Sequence, residues 1–270
     1  MVLTLTAPEI GQSQKTGTRL VLVLEYDGTN YFGFQWQVNA PTIQSELEKA
    51  LEKLTGEKIR VVASSRTDTG VHARGQVVSF KTASSLLEEA FVHGLNYHLP
   101  DDIAVKSAYR VRDYFMVRSM AISREYNYFI LNSQTRSPMT TRFAHRVIGE
   151  LDVEAMNKAS QTLVGIHDFA SFASDISAEL EKSTIRRVYR AEMKRDGELI
   201  VFNVVANAFL RHQIRSTVGA LVQIGLNRMS EAEFINILES KKPGRAGPTL
   251  SSCGLCLVRV NYPCAFEEMR

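Results

Sequence analysis

The stretch 42-TIQSELEKALEKLTG-56 decides how this chain folds. Ile43, Leu47, Ala50, Leu51 and Leu54 recur at helical spacing, Thr42 is placed to cap the first turn, and Gly56 to end the last. Before it, 19-RLVLVLEY-26 reads as a buried strand; after it, apolar runs near 59–64 and 76–80 read as two more. Ser85 and Glu88 are spaced as a capping box for a second helix ending before Pro100, and a strand near 103–111 follows. The order β-α-β-β-α-β is the split-βαβ, ferredoxin-like pattern.

The second half repeats it in pattern, with little self-similarity of sequence. Strands near 123–132 and 143–148 lead to a helix from Asp152 to about Val164. The strands 184-TIRRVYRAEMKR-195 and 198-ELIVFNVVA-206 flank a turn at Asp196-Gly197. A long helix over 209-FLRHQIRSTVGALVQIGL-226, a short one capped by Ser230 and Glu233, the loop 241-KKPGRAGP-248 and a last strand, 254-GLCLVRV-260, complete the unit. The expected fold is α+β. Two ferredoxin-like (split βαβ) subdomains, residues 19–115 and 116–270, join edge to edge in one extended, mostly antiparallel sheet, which hides exposed edges. Helices lie on one face, and a central cleft is expected where the sheet is free of helices. Residues 1–18 read as a loosely ordered tail.

Composition narrows the function class. At 270 residues, 44% apolar and 23% charged, the chain has the make-up of an ordinary globular protein. A net charge of +3 permits a polyanionic partner without requiring one. No apolar run nears the roughly 18 residues that span a membrane, and the first residues lack the pattern of a secretory signal, so a cytoplasmic protein is expected. Three cysteines suit a reducing compartment. Cys253 and Cys256 form a C-x-x-C, but a strand would turn them to opposite faces and Cys264 completes no second pair, so no metal site is expected.

The chemistry concentrates in 64-SSRTDTGVHARGQVVSF-80. Asp-Thr-Gly alone reads as an Asx-turn. Two features point further: Arg66 stands two residues from Asp68 and would keep it ionised, and His72 and Arg74 share the same connection. An aspartic protease would need a second such aspartate and a shared proton, which the neighbouring arginine opposes. Elsewhere, Arg211 and Arg215 lie four apart on the long helix, which by itself describes a solvated rim. Tyr126 and Tyr128 fall on one sheet face, as core residues or as a stacking platform for bases. Lys182, Arg186, Arg187 and Arg190, and Arg110, Arg112, Arg118 and Arg124, form basic clusters suited to phosphates.

These motifs together resemble the tRNA pseudouridine synthase A family over residues 19 to 262. The resemblance rests on 26-YDGTNYFGFQ-35, 66-RTDTGVHARGQVVSF-80, 95-LNYHLPDDIAV-105, 124-REYNYFI-130, 165-GIHDFASF-172, 206-ANAFLRHQIRSTVGAL-221 and 254-GLCLV-258. It implies a homodimer acting on tRNA, without cofactor or metal, that isomerises uridine to pseudouridine in the anticodon stem-loop (positions 38–40). It makes Asp68 the catalytic aspartate, Arg215 its paired arginine, Tyr126 the residue packed on uracil, and Arg66 the residue that holds the target nucleotide out of the stack. His72, Arg118 and Arg211 are expected to contact substrate with them. Trp36, Met116 and Ser216 stand where the family commonly has arginine, histidine and asparagine. A synthase for another RNA, or an RNA-binding protein without catalysis, are the alternatives.

Overall fold

The computed structural model describes residues 17–173 and 183–269. In the first half, β1 (Thr18–Tyr26), α1 (Ile43–Thr55), β2 (Val62–Ala63), β3 (His72–Thr82), α2 (Glu88–His98) and β4 (Ile103–Val111) follow the expected order. The second half runs β5 (Ser123–Asn132), β6 (His145–Val147), α3 (Val153–Gln161), β7 (Gly165–Asp168), β8 (Ile185–Asp196), β9 (Leu199–Ala206), α4 (Gln213–Gly225), α5 (Glu231–Ser240) and β10 (Leu255–Asn261). The expected tail lies, through residue 16, outside the described residues; β1 already begins at Thr18.

The ten strands of the described residues share one sheet, in the order β4-β1-β3-β10-β5-β9-β8-β7, with β2 on β3 and β6 on β5. Each half has the ferredoxin-like strand order: β4-β1-β3-β2 in the first, β10-β5-β9-β8 in the second. They meet where β10 pairs in parallel with the start of β3, Cys256 opposite His72 and Leu257 opposite Ala73. That pairing is open because β2 covers only Ser79 and Val78, at the far end of β3. Residues 59–61 do not extend β2 as expected. Val61 instead donates its N–H to Glu48 Oε1 at 3.0 Å and accepts from Gln44 Nε2 at 3.2 Å, so side chains of α1 satisfy its backbone.

Local signals account for most helix ends. Thr42 and Ser45 close a capping box on α1, Gly56 ends it at φ +73°, and Ser230 and Glu233 cap α5. Two expectations fail. α2 is preceded by Leu87, not capped by Ser85, because Arg110 donates to the carbonyls of Ser84 and Leu86 and keeps that backbone extended. α4 begins at Gln213, not near 209: Gln213 Oε1 accepts from Leu210 N–H at 2.8 Å, and His212 breaks the run at φ +62°. Arg211 is therefore outside the helix. Eleven of the thirteen residues of α4 are buried, so it is a core helix and not an amphipathic rim.

On β5 the even positions Tyr126, Tyr128 and Ile130 are buried with Val204, Phe202 and Ile200 of β9. The odd positions Glu125 and Asn127 join Asn203, Arg190 and Arg259 in a polar network on the other face. Helices of the second half thus cover the even face. Tyr128 is wholly buried and donates to Ser251 O, which makes it core and removes it from any stacking platform. In the first half the face turned away from the helices is covered by the chain's end, where Phe266 packs on Tyr109 and Phe115 and Arg112 N–H bonds Met269 O.

Candidate active site

A cleft of about 1060 Å³ opens where the halves meet, lined by residues 64–69, Arg118, Arg124, Tyr126 and residues 208–215. Tyr126 and the start of α4 both line it, so it lies on the helix-bearing face, in the gap between the two helix layers. The expectation of a cleft on the helix-free face is corrected: that face carries the Glu125 network in one half and the C-terminal segment in the other.

The loop between β2 and β3 holds Asp68 at the floor. Val71 N–H bonds the main-chain carbonyl of Asp68 at 3.1 Å, so the turn closes on backbone and the carboxylate is left to the cleft. The segment 27–34 supports the loop from behind. Phe34 N–H bonds Thr67 O, Gly70 N–H bonds Tyr31 O, and the Thr67 hydroxyl meets Tyr26 OH at 2.8 Å in the interior. Gly28 is required there by contact alone, because a Cβ would stand 2.0 Å from Val71 O.

Around Asp68 the charges are mostly positive. Arg215 Nη1 lies 3.8 Å and His212 Nε2 3.5 Å from Asp68 Oδ2, and the Asp68 side chain is about one-third exposed. Arg215 is anchored by its Nε–H to Leu250 O at 2.7 Å. Arg124, buried, spends its guanidinium on the carbonyls of Ser64, Arg118, Ala121 and Asn207 and ties the cleft walls together. Arg118 donates to Ala63 O, and its pKa is lowered by burial and then by Arg66 nearby. Tyr126 is buried edge-on to Phe209, and burial pushes its phenol up to about 12 against an opposing hydrogen bond with Ser65. A phenol held that high is a poor base.

The structure thus gathers Asp68, Arg66, Tyr126, Arg118, Arg211 and Arg215 in one cleft. His72 is corrected. It is buried at the start of β3, with Nε2 donating to Cys253 O at 3.2 Å and Nδ1 accepting from Gly28 N–H at 3.1 Å. Asp27 sits against the same nitrogen and pairs with Arg142, and Phe143 packs on the ring. His72 is a pin between the supporting segment and β10, not a substrate contact. His212 was invisible to sequence reasoning. Lys182 of the basic cluster lies outside the described residues, and Arg190 belongs to the Glu125 network. Trp36 stacks with Arg60, whose guanidinium lies 5.1 Å from the ring; Met116 is exposed; the Ser216 hydroxyl meets that of Thr249. None of the three bonds Asp68. Cys256 is buried, Cys253 precedes the strand, and no His/Cys/Asp/Glu group suited to a metal occurs among the described residues.

The buried imidazoles set an acid sensitivity. Burial lowers the pKa of His72, His145 and His212, against the pull of Asp27 on the first and Asp68 on the last. The unfolded chain then takes up protons before the folded one, so stability is complete above about pH 6.5 and falls as pH drops below it. The unfolding midpoint is expected to drop between about pH 7.5 and 5.5, and His72→Gln to flatten that slope. A midpoint that rises on acidification would contradict this assignment.

Comparisons with known proteins identify the relatives of this chain. A family model described as tRNA pseudouridine synthase matches residues 22–118 and 159–263. The tRNA pseudouridine synthase A of Thermoanaerobacter sp. (strain X514) is 41% identical over 243 residues, 90% of this chain and 99% of that protein. That of Pelobacter propionicus is 43% identical over 89% of this chain and 98% of its own length. The Shewanella amazonensis protein of the same name is 41% identical over 92% and 94%. Among solved structures, the archaeal box H/ACA sRNP Nop10–Cbf5 complex aligns at 12% identity and TM-score 0.39, over 76% of this chain and 44% of that one.

Proposed function

The chain belongs to the tRNA pseudouridine synthase family, and on that premise we propose that it isomerises uridine to pseudouridine in tRNA with Asp68 as the reacting carboxylate. One observation carries the assignment of Asp68: among the described residues it is the only carboxylate lining a cleft that also presents Arg66, Arg118, Arg124, Arg211 and Arg215. A cationic cleft attracts a phosphate backbone, and a pure binding surface gains nothing from an acid at its centre.

The reaction breaks the C1′–N1 bond, turns the uracil and rejoins it through C5. It transfers nothing from outside and changes no oxidation state. Asp68 acts at the sugar, either as nucleophile at C1′ or as base toward the sugar proton, and Arg215 balances its charge. The target uridine leaves its stack at a cost of a few kcal/mol, with exposed Arg66 placed at the cleft to fill the vacated space. Tyr126 holds the detached base by its ring face.

The substrate region is the anticodon stem-loop at positions 38–40, by resemblance to the family. Replacing these uridines one at a time by cytidine in a transcribed tRNA tests it. Pseudouridine should disappear only with the uridine replaced, whereas unchanged product from a tRNA lacking all three would move the site elsewhere.

The protein acts as a homodimer in the cytoplasm, where its tRNA substrate is. Light scattering should give twice the 30.3 kDa of one chain; a mass of one chain at micromolar concentration would oppose the dimer. Among the described residues no helix is long and apolar enough to cross a membrane.

A further inference from the structure

We infer that His212 is a positioning residue for this reaction, fixing the orientation of the Asp68 carboxylate through its Nε2–H. The inference rests on the reading of Asp68 as the reacting group.

The backbone is the first observation. His212 stands immediately before α4 at φ +62°, where asparagine or glycine is the usual occupant, and its side chain makes no capping bond. Among the described residues the other non-glycine positions in that region are Asn39, Asn227 and Lys241; the two asparagines fit the rule, and Lys241 ends α5. A histidine that adopts this conformation without capping the helix is held there by its surroundings. Ser216 N–H bonds its carbonyl at 2.9 Å, and Gln213 closes the preceding turn on Leu210.

What that backbone achieves is the direction of the imidazole. Nε2 points at Asp68 Oδ2 from 3.5 Å, the same oxygen that Arg215 Nη1 approaches at 3.8 Å. A carboxylate oxygen accepts, so Nε2 carries the ring hydrogen. Arg215 is already committed through Nε to Leu250 O, so its reach toward Asp68 is limited. Two N–H-bearing side chains therefore approach Oδ2, both at ion-pair distance. Both contacts are longer than a hydrogen bond, as catalytic contacts often are before substrate closes a site. Once substrate tightens these contacts, the carboxylate is held through Oδ2 and its other oxygen is left for the sugar.

The charged groups facing the imidazole are Asp68, Arg211 and Arg215. Burial and the two arginines favour the neutral ring, against Asp68. Acidification adds a positive charge beside Asp68 and weakens the carboxylate as nucleophile or base. His212 is thus also the group through which the active site senses pH below neutrality.

Two variants separate this role from a structural one. Asparagine accepts the left-handed backbone but is too short to reach Asp68; glutamine carries an amide N–H to about the position of Nε2. His212→Asn should lower the single-turnover rate roughly 10- to 100-fold, with tRNA affinity within about twofold of wild type. His212→Gln should regain most of the rate at about pH 7.5 and lose the wild-type decline toward about pH 5.5. A fully active His212→Asn beside an inactive Asp68→Asn would overturn the role of His212 alone. Full activity of Asp68→Asn itself would overturn the reading of Asp68 on which it rests. Equal losses in Asn and Gln variants with an unchanged pH profile would also overturn the positioning role.

Discussion

Asp68→Asn is expected to abolish pseudouridine formation, by about 10⁴-fold or more, and to leave both the fold and the grip on tRNA intact. The change is nearly isosteric at a half-buried side chain, and the turn that holds it closes on the Asp68 carbonyl, which asparagine keeps. The amide is no nucleophile toward C1′ and no base toward a sugar proton, so both routes stop. The sign of the binding effect is informative. Removing Asp68, the one acid among the described residues of a cleft that also presents Arg66, Arg118, Arg124, Arg211 and Arg215, makes it more positive, so tRNA affinity should stay level or rise, most visibly at low salt. Pseudouridine content of a transcribed tRNA after incubation, with filter binding in parallel, checks both. Substantial product from the Asn variant would remove Asp68 from the mechanism.

Gly28→Ala should have the largest effect on stability. A Cβ at this position would lie 2.0 Å from Val71 O and 2.7 Å from its carbon, both main-chain atoms of the loop bearing Asp68. Neither wall yields easily. His72 Nδ1 holds Gly28 N–H, and the loop is tied to Tyr31 and Phe34 by main-chain bonds. The methyl must push the two segments apart, at about 2–4 kcal/mol. The unfolding midpoint should fall by about 5–10 °C, and activity should fall with it even below the transition, because Asp68 shifts relative to Arg215. An unaltered midpoint would show that the contact between these segments is looser than the geometry states.

Periodicity made the fold legible. The spacing of Ile43, Leu47 and Leu51, Thr42 as a cap, the capping pair Ser230/Glu233, and Gly56 are local signals, and the elements they mark form where expected. Failures occur where distant groups settle the backbone. Val61 leaves the sheet because Gln44 and Glu48 take its polar groups, and Leu87 precedes α2 because Arg110 holds the segment before it. β7 is four residues of Gly-Ile-His-Asp on the sheet edge, too short and polar to show a period.

The site divides in the same way. Asp68 and Arg66 were conspicuous because one short loop carries them with a charge pattern a turn does not need. His72 sits in that loop, but which side of β3 a first residue faces depends on where the strand starts. Here it turns inward, to Cys253 and Gly28. His212 left no signal. Its segment reads as continuous helix, a left-handed histidine has no signature, and its partner belongs to the other half of the chain.

The central claim is that this cleft performs the isomerisation and does not merely bind RNA. Incubating the wild-type protein with transcribed tRNA tritiated at uridine C5 tests it directly, since rejoining through C5 expels that hydrogen. Tritium should appear in water in step with pseudouridine. Tight tRNA binding with no release would contradict the account and leave an RNA-binding protein in its place.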